Sequence, residues 1–275
     1  MKTIQLFASN KQVELKKFSG GECHVRFLEP FLENDQVSIH TRLNSSDDVM
    51  TLCLAVDALR HYGVQYIEAF IPYLPYARQD RVMVSGEPLS VKVFARIINS
   101  LKLNRVTVFD AHSDVSVALL DNCCNVSNHD MVNTFIKSMG LTDYVLVSPD
   151  LGAYKKVDKL AHKINYRNNI ATGIKIRDLV SGQIIKSDVM CGVLDGRACV
   201  IVDDICDGGR TFIELAKALR SKGAGLLYLC VSHGIFSHNA LECLLEAGFT
   251  HVLSTNSICN RTETEFYKQY NLFES

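Results

Sequence analysis

Short apolar runs recur along the chain, and amphipathic helical patterns lie between many of them. The apolar runs predict strands at residues 3–7, 36–41, 65–71, 105–110, 144–148, 198–203, 226–232 and 250–254. Three helical patterns cover residues 47–62, 211–222 and 237–247, and each is followed by a glycine, which commonly ends a helix. Ser45 and Ser46 are candidates to cap the first of these helices. Strands and helices therefore alternate along most of the chain.

This alternation predicts an α/β protein with mainly parallel sheets that carry helices on both faces. Ligands of such sheets bind beyond the carboxyl ends of the strands, so functional residues should follow strands directly. The 275 residues, 47% of them hydrophobic, suffice for two modest domains, and two similar successions of elements meet near residues 125–145. We expect an N-terminal domain over residues 1–128 and a C-terminal domain over residues 129–275.

Composition excludes some classes of function. Lys+Arg 29 and Asp+Glu 30 give a formal net charge of -1, so no overall positive field exists to hold a nucleic acid. No apolar run approaches the roughly 18 to 20 residues that span a bilayer, and the first residues lack the pattern of a secretory signal. Several of the ten cysteines lie inside apolar runs, which favours reduced, buried thiols. We expect a soluble, cytoplasmic protein with neither nucleic acid nor membrane as a partner.

Residues 199–211 form the segment with the clearest chemistry. An apolar strand runs into Asp203 and Asp204, and because unpaired charge is costly in a core, both carboxylates should point into solvent or onto a ligand such as the vicinal hydroxyls of a sugar. Residues 207–211 then form a glycine-containing turn before a helix, where free backbone N–H groups suit a phosphate. The turn is neither a Walker A loop nor a G-x-G-x-x-G loop. Taken alone, an acidic turn with a helix cap remains an alternative.

This segment resembles the phosphoribosyl-diphosphate binding motif of type I phosphoribosyltransferases and of ribose-phosphate pyrophosphokinases, the PRPP synthetases. PYLPYARQDR at 72–81, followed by SGEPLSVK at 85–92, is similar to a synthetase signature that simple transferases lack. Four further segments occur in the order of that family, and they are KFSGGE at 17–22, VFDAHS at 108–113, VSPDLG at 147–152 and SHGIFSHN at 232–239. The resemblance covers about residues 1–258 and implies two phosphoribosyltransferase-like domains.

The resemblance also implies roles for individual residues. The ribose phosphate would be held by Asp203, Asp204, Asp207, Gly208, Gly209, Arg210 and Thr211. ATP would be contacted by Phe18, Glu22, Arg78, Gln79, Asp80 and His112. In the family, the residues that match Phe18 and Glu22 hold the adenine across a subunit interface. A homo-oligomer, either a dimer or a hexamer, is therefore implied.

A metal site and a catalytic loop follow from the same resemblance. His112 and Asp150 would position Mg²⁺ or its hydration shell, although the preference of Mg²⁺ for oxygen leaves phosphate or metal-bound water as alternative partners of His112. Lys175 and Arg177 form a Lys-x-Arg pair at the end of a short strand, before a polar stretch at 181–188. This pair matches the start of the family's mobile catalytic loop, where both cations would stabilise charge on the transferred phosphates.

Two positions depart from the family's usual phosphate loop, which reads Asp-Thr-Gly-Gly-Thr. Gly208 stands in the place of Thr, and Arg210 in the place of a Gly. The implied reaction is a Mg²⁺-dependent transfer of the diphosphoryl group of ATP to the anomeric hydroxyl of ribose 5-phosphate, which gives PRPP and AMP for nucleotide biosynthesis. The departures leave a 5-substituted ribose such as ADP-ribose, in NAD-related metabolism, as an alternative acceptor. A noncatalytic regulatory family member is a further alternative, and a plain phosphoribosyltransferase has no use for the Arg78 segment.

Overall fold

The computed structural model describes residues 1–177 and 184–273, without the side chains of residues 175–177 and 184–187. The chain divides into two compact units, Met1–Ser127 and a second unit that begins at Asn128. Each unit has its own sheet and its own buried core. In the described part of the chain, no helix has both the length and the apolar character that crossing a membrane requires.

The first unit alternates strands and helices around a small hairpin. In chain order its elements are β1 (Lys2–Gln5), β2 (Val13–Lys17), β3 (Cys23–Phe27), β4 (Gln36–His40), α1 (Ser46–His61), β5 (Tyr66–Phe70), α2 (Ser90–Ser100), β6 (Arg105–Phe109), α3 (Asp114–Ala118) and β7 (Cys123–Val126). Strands β1, β4, β5, β6 and β7 form a parallel sheet in the order β1-β4-β5-β6-β7. Strands β2 and β3 pair with each other in antiparallel orientation, outside that sheet.

Helix α1 is fixed at both ends by its sequence. The Ser45 hydroxyl accepts a hydrogen bond from the Asp48 N–H, and the Asp48 carboxylate accepts one from the Ser45 N–H, which makes a reciprocal capping box. Such a cap stabilises a helix by about 0.5–2 kcal/mol. At the other end Gly63 has a φ of +85°, a conformation that suits glycine after a last turn. The helix predicted at 47–62 is confirmed to within one residue.

The second unit is a larger α/β assembly. In chain order its elements are α4 (His129–Ser138), β8 (Tyr144–Ser148), α5 (Tyr154–Lys163), β9 (Ala171–Arg177), β10 (Ile184–Met190), β11 (Ala198–Cys206), α6 (Arg210–Ser221), β12 (Leu227–Gly234), α7 (Ala240–Glu246), β13 (His251–Thr255) and β14 (Tyr267–Tyr270). Among the described residues, the sheet order is β10-β9-β8-β11-β12-β13-β14. All neighbours are parallel except β9 and β10. An α/β fold with mainly parallel sheets is thereby confirmed.

Strand β11 lies at the centre of this sheet and separates two apolar clusters. On one side, Ile201 packs in a cluster with Leu215 of α6. On the other side, Val200 and Val202 pack in a cluster with Leu160 of α5. Because side chains alternate along a strand, successive residues of β11 face opposite sides of the sheet. Helices therefore cover both faces of the sheet around β11, as predicted.

The predicted end of the central strand is wrong. Strand β11 does not stop at residue 203 but continues to Cys206, because its pairing with β12 persists as far as Cys206 opposite Gly234. The two acids that were expected to end the strand therefore lie two to three residues before its end. Part of the polar stretch at 181–188 is strand, since residues from Ile184 onward form β10 and pair with β9.

Helix α7 begins later than predicted. It starts at Ala240 rather than at residue 237, because Phe236, His238 and Asn239 have positive φ angles that do not continue into an α-helix. Positive φ is uncommon outside glycine, so three such residues within four positions give this loop an unusual backbone conformation. The loop follows β12 directly.

One glycine allows two segments of the second unit to lie close together. A Cβ atom at Gly173 in β9 would overlap the carbonyl oxygen of Pro149, the residue before Asp150. We expect Gly173→Ala to lower the free energy of unfolding by about 1–3 kcal/mol, as overpacking of a core does, and to displace the Asp150 loop. The matched control is Gly192→Ala, since a Cβ there meets no atom within 4 Å. Urea denaturation of both variants is the measurement, and equal stabilities would contradict the proposed close approach.

Candidate active site

Three loops of the second unit converge at one edge of its sheet. Strand β11 lies between β8 and β12 and is parallel to both, so the carboxyl ends of the three strands lie together. The loop after β8 carries Asp150, the loop after β11 is residues 207–211, and the loop after β12 carries Ser237. Asp150 and Asp203 come shortly after Val147 and Ile201, which pair across β8 and β11, and the charge of Asp150 raises the pKa of Asp203. The sequence-predicted acceptor residues and Asp150 are thus brought to the same edge.

Asp203 and Asp204, here called the acid pair, are consecutive residues near the end of β11. Their side chains begin on opposite faces of the sheet because strand residues alternate. Asp204 is only 7% exposed, and Lys156 Nζ lies 3.7 Å from its Oδ2. Asp203 is partly buried, and its Oδ1 accepts the Asp204 N–H at 2.9 Å. Both acids therefore have local partners.

The environment of Asp203 favours its protonated form. Burial raises the pKa of Asp203 well above its ordinary value, and the charges of Asp204 and Asp150 raise this pKa further. The Asp204 N–H opposes the shift because it binds the ionised form. A carboxyl that keeps its proton can donate as well as accept a hydrogen bond. The acid pair can therefore serve sugar hydroxyls, which also both donate and accept.

The phosphate loop, residues 207–211, is shaped by one glycine and one hydrogen bond. Gly209 has a φ of +76° and directly precedes α6, a conformation that only glycine adopts readily. The Asp207 Oδ1 accepts a hydrogen bond of 2.6 Å from Ser237 Oγ, which ties this loop to the one after β12. Thr211 lies in the first turn of α6. The first backbone N–H groups of a helix have no acceptor within it, so this loop can bind a phosphate.

The two departures from the family pattern lie in open surroundings. A Cβ atom at Gly208 would have its nearest neighbours at 3.8 Å, Ser237 Oγ, and at 4.0 Å, His238 Cδ2. These are ordinary contact distances, so the position has room for a side chain or for part of a ligand. Arg210 is the first residue of α6 and is exposed.

Asp150 shapes the turn that leads from β8 into α5. Its Oδ1 accepts the N–H groups of Gly152 and Ala153 at 3.0 and 3.1 Å, and Ser148 Oγ donates to its carbonyl at 2.7 Å. A carboxylate is also the ligand type that Mg²⁺ takes together with waters and substrate phosphates. Within residues 1–177 and 184–273, no group of three or more His, Cys, Asp or Glu could hold a metal ion. The metal site expected at His112 and Asp150 stays a prediction.

In the first unit, the segment 78–81 meets the loop after β6. Asp80 is buried, and its two oxygens accept hydrogen bonds from Arg81 Nε and Nη2 at 2.9 and 3.3 Å. This pairing lowers the pKa of Asp80 against the effect of burial, and the Ser113 hydrogen bond and the His112 charge lower it further. Asp80 therefore anchors the segment to that loop. Arg78, Gln79, Arg81 and His112 are exposed around Asp80.

Phe18 and Glu22 lie in the turn of the β2–β3 hairpin. The Phe18 N–H donates to the Glu22 carbonyl at 2.9 Å, which closes the turn. The Phe18 side chain is 55% exposed, with its ring centroid 5.4 Å from that of His24. Glu22 is exposed as well. Neither side chain belongs to the core of the first unit.

The predicted catalytic cations cannot be placed in this site. The backbones of Lys175 and Arg177 belong to β9, where they pair with Ser187 and Ile184 of β10. Their side chains lie outside the described part of the chain, and so do residues 178–183. The roles of these two residues stay predictions.

Two residues that contact the site were not singled out from the sequence. Ser237 lies in a recognised segment, but nothing in the pattern assigns it to Asp207. The sequence did contain a signal for Lys156, because its spacing from the apolar Val157 and Leu160 places it on the same face of α5. A lysine beside an apolar helical stripe can pack its stem on that stripe while its charged end stays in water or meets a carboxylate.

Comparison with known proteins addresses the family. Residues 4–101 match the N-terminal domain of ribose phosphate pyrophosphokinase, and residues 170–268 match the phosphoribosyl synthetase-associated domain. A ribose-phosphate pyrophosphokinase of Synechocystis sp. is 31% identical over 245 residues, 88% of this chain and 73% of the relative. The chain belongs to the ribose-phosphate pyrophosphokinase family. It is therefore an enzyme, a transferase of the ribose-phosphate diphosphokinase type.

Further relatives agree with this family assignment. A ribose-phosphate pyrophosphokinase of Vibrio cholerae is 32% identical over 259 residues, which are 92% of this chain and 81% of the relative. The crystal structure of phosphoribosylpyrophosphate synthetase from Mycobacterium smegmatis matches with a TM-score of 0.84 and 22% identity, over 99% of this chain and 95% of that one. The chain thus has the fold of that synthetase.

The raised pKa of Asp203 makes a prediction about stability. The folded state binds a proton at Asp203 that the unfolded chain has released, so stability falls as pH rises from the unfolded pKa, about 4, towards the raised folded pKa. Asp203→Asn removes this loss. We expect it to raise the free energy of unfolding at pH 7 relative to the parent, with little difference near pH 4.

Urea denaturation at both pH values measures this effect. Asp143→Asn, at an exposed position of the same unit, is the control and should change stability little at either pH. An Asp203→Asn protein that is no more stable than the parent at pH 7 would show that the buried carboxyl is not a source of instability.

Proposed function

We propose that the protein transfers the β,γ-diphosphoryl group of ATP to the anomeric hydroxyl of a ribose 5-phosphate moiety. One observation carries this proposal: the acid pair near the end of β11 is followed directly by the phosphate loop, which leads into α6. This order occurs in a member of the pyrophosphokinase family. The carboxyls suit the vicinal hydroxyls, and the N–H groups of residues 207–211 suit the 5-phosphate. Their adjacency in the chain matches the short distance between these groups in one sugar phosphate.

The bond changes in this reaction are limited to one phosphorus atom. The anomeric oxygen forms a bond to the β-phosphorus of ATP, and the bond from that phosphorus to the bridging oxygen of the α-phosphate breaks. AMP leaves with this oxygen, and the hydroxyl proton passes to solvent. Lys175 and Arg177 are proposed to stabilise the charge that develops on the transferred group.

Nucleotide and metal binding are proposed for residues of both units. Arg78, Gln79 and His112 would contact ATP, supported by their exposure beside the buried anchor Asp80. Mg²⁺ would be held by Asp150, with His112 bound to phosphate or to metal-bound water, and it would offset the negative charge of the triphosphate. The donor set at Asp150 fits an ion that keeps several waters.

A homo-oligomer is part of the proposal. Phe18 and Glu22 are both exposed in the hairpin turn. An aromatic ring can stack on a purine, and a carboxylate can accept a hydrogen bond from its amino group. We propose that they hold the adenine bound to a neighbouring subunit. Dimers or hexamers would both meet this requirement.

A second acceptor is favoured by the two departures in the phosphate loop. A Cβ atom at Gly208 would lie 3.8 Å from its nearest neighbour, Ser237 Oγ, so the position has room for part of a ligand. Arg210 adds an exposed residue with a guanidinium group at the start of α6. A guanidinium binds phosphate oxygens strongly, often in pairs. We propose that ADP-ribose, whose ribose carries a diphosphate at its 5 position, is accepted alongside ribose 5-phosphate.

Product masses test both acceptors. We incubate the parent with ATP, Mg²⁺ and either ribose 5-phosphate or ADP-ribose, and we expect each acceptor to gain one diphosphoryl group while AMP forms. Arg210→Gly should lower turnover of ADP-ribose about tenfold or more, since it removes a charge-assisted contact, with a smaller effect on ribose 5-phosphate. Lys175→Ala is the catalytic control and should lose about 10² to 10³ in rate with both acceptors.

Two results would overturn separate parts of this proposal. No diphosphoryl gain with either acceptor would contradict the proposed reaction. Turnover of ribose 5-phosphate alone, unchanged by Arg210→Gly, would exclude ADP-ribose and leave the simpler acceptor.

A further inference from the structure

A lysine of α5, the helix that follows β8, contacts the acid pair on β11. Lys156 Nζ lies 3.7 Å from Asp204 Oδ2, with side chains 37% and 9% exposed. The pair joins α5 to β11 and spans a large sequence separation. Because Asp204 is almost fully buried, the contact is not an ordinary pair between two solvated side chains.

The position of Lys156 in its helix is electrostatically unfavourable. Helix α5 begins at Tyr154, so Lys156 lies in its first turn, where the helix dipole disfavours a positive charge. A nearby carboxylate offsets this cost. Asp204 supplies that carboxylate, so the pairing explains why a lysine is tolerated at this end of the helix.

The first turn of α5 also places the Lys156 contact at the carboxyl edge of the sheet. The first turn of α5 follows the loop after β8, so it lies at the carboxyl edge of the sheet, near Asp150 and the phosphate loop. Asp204 begins on the α5 face of β11, opposite to Asp203. Attraction to Lys156 therefore draws the Asp204 carboxylate towards the edge where a ligand of both acids must lie.

Lys156 also changes the charge balance of this edge. Asp150, Asp203 and Asp204 interact electrostatically, and three carboxyls close together repel one another when ionised. A positive charge at Asp204 reduces this repulsion. Asp204 can then stay ionised and accept hydrogen bonds from a ligand.

We infer that Lys156 is a positioning residue for the acceptor, one that holds the Asp204 carboxylate at the carboxyl edge so that the acid pair binds the vicinal hydroxyls of the ribose. This inference rests on the proposed function for its ligand. Lys156 itself touches neither the acceptor nor the transferred phosphates. Its effect should therefore appear in acceptor binding rather than in ATP binding.

Steady-state kinetics of Lys156→Met, Lys156→Arg and Lys159→Met test the inference. Methionine keeps most of the apolar stem and removes the charge. We expect Lys156→Met to raise KM for ribose 5-phosphate about tenfold, the scale of a lost charge-assisted contact, with KM for ATP nearly unchanged. Lys156→Arg should restore most of the acceptor affinity. Lys159, exposed on the same helix, is the matched control, and Lys159→Met should behave as the parent.

Direct binding separates this inference from the proposed reaction. Calorimetric titration with ribose 5-phosphate needs no turnover, so it decides the role of Lys156 even if the parent transfers no diphosphoryl group. Weaker binding by Lys156→Met and recovery by Lys156→Arg support the inference. Equal binding by all variants, no binding by the parent, or equal increases in KM for both substrates would overturn it. Should circular dichroism show Lys156→Met to be unfolded, Lys156→Gln replaces it in the same comparison.

Discussion

The second unit is organised around carboxyl groups that lie inside its sheet. Asp203 and Asp204 belong to the central strand, where a carboxylate loses hydration and destabilises the fold unless it is paired. Lys156 offsets the charge of Asp204, while Asp203 responds to burial with a raised pKa. Neither the ion pair at Asp204 nor the raised pKa of Asp203 makes the fold more stable than an apolar residue at the same position would. Under the proposed function, these carboxyls are kept at some cost to the stability of the fold because they bind sugar hydroxyls.

The parallel topology places the rest of the site around the acid pair. Gly173 allows β9 to approach the segment before Asp150, which fixes that loop at the carboxyl edge. Ser237 ties Asp207 to the loop after β12, and Gly209 provides the backbone turn into α6. Each of these contacts acts on a loop from a different strand. A ligand bound at this edge would therefore meet groups held by several independent elements, which favours precise positioning.

Local features of the sequence predict much of the fold and part of the site. Strand β8 and the Ser45 cap follow from nearby residues alone, and both are confirmed. The end of β11 was wrong because backbone pairing with β12 continues past the apolar run. The contact of Lys156 with Asp204 could not be derived, since it depends on how α5 packs on β11. A helical spacing can place a lysine beside an apolar stripe, but only the packing of the helix shows which carboxylate that lysine meets.

The most direct measurement is a crystal structure of the protein grown with ribose 5-phosphate. We expect the phosphate to accept hydrogen bonds from backbone N–H groups of residues 207–211, and the vicinal hydroxyls to lie within hydrogen-bond distance of the Asp203 and Asp204 carboxyls. The Lys156 to Asp204 contact should persist in that complex. Ribose 5-phosphate bound at another place, with the acid pair free of sugar, would contradict the assignment of this edge as the acceptor site.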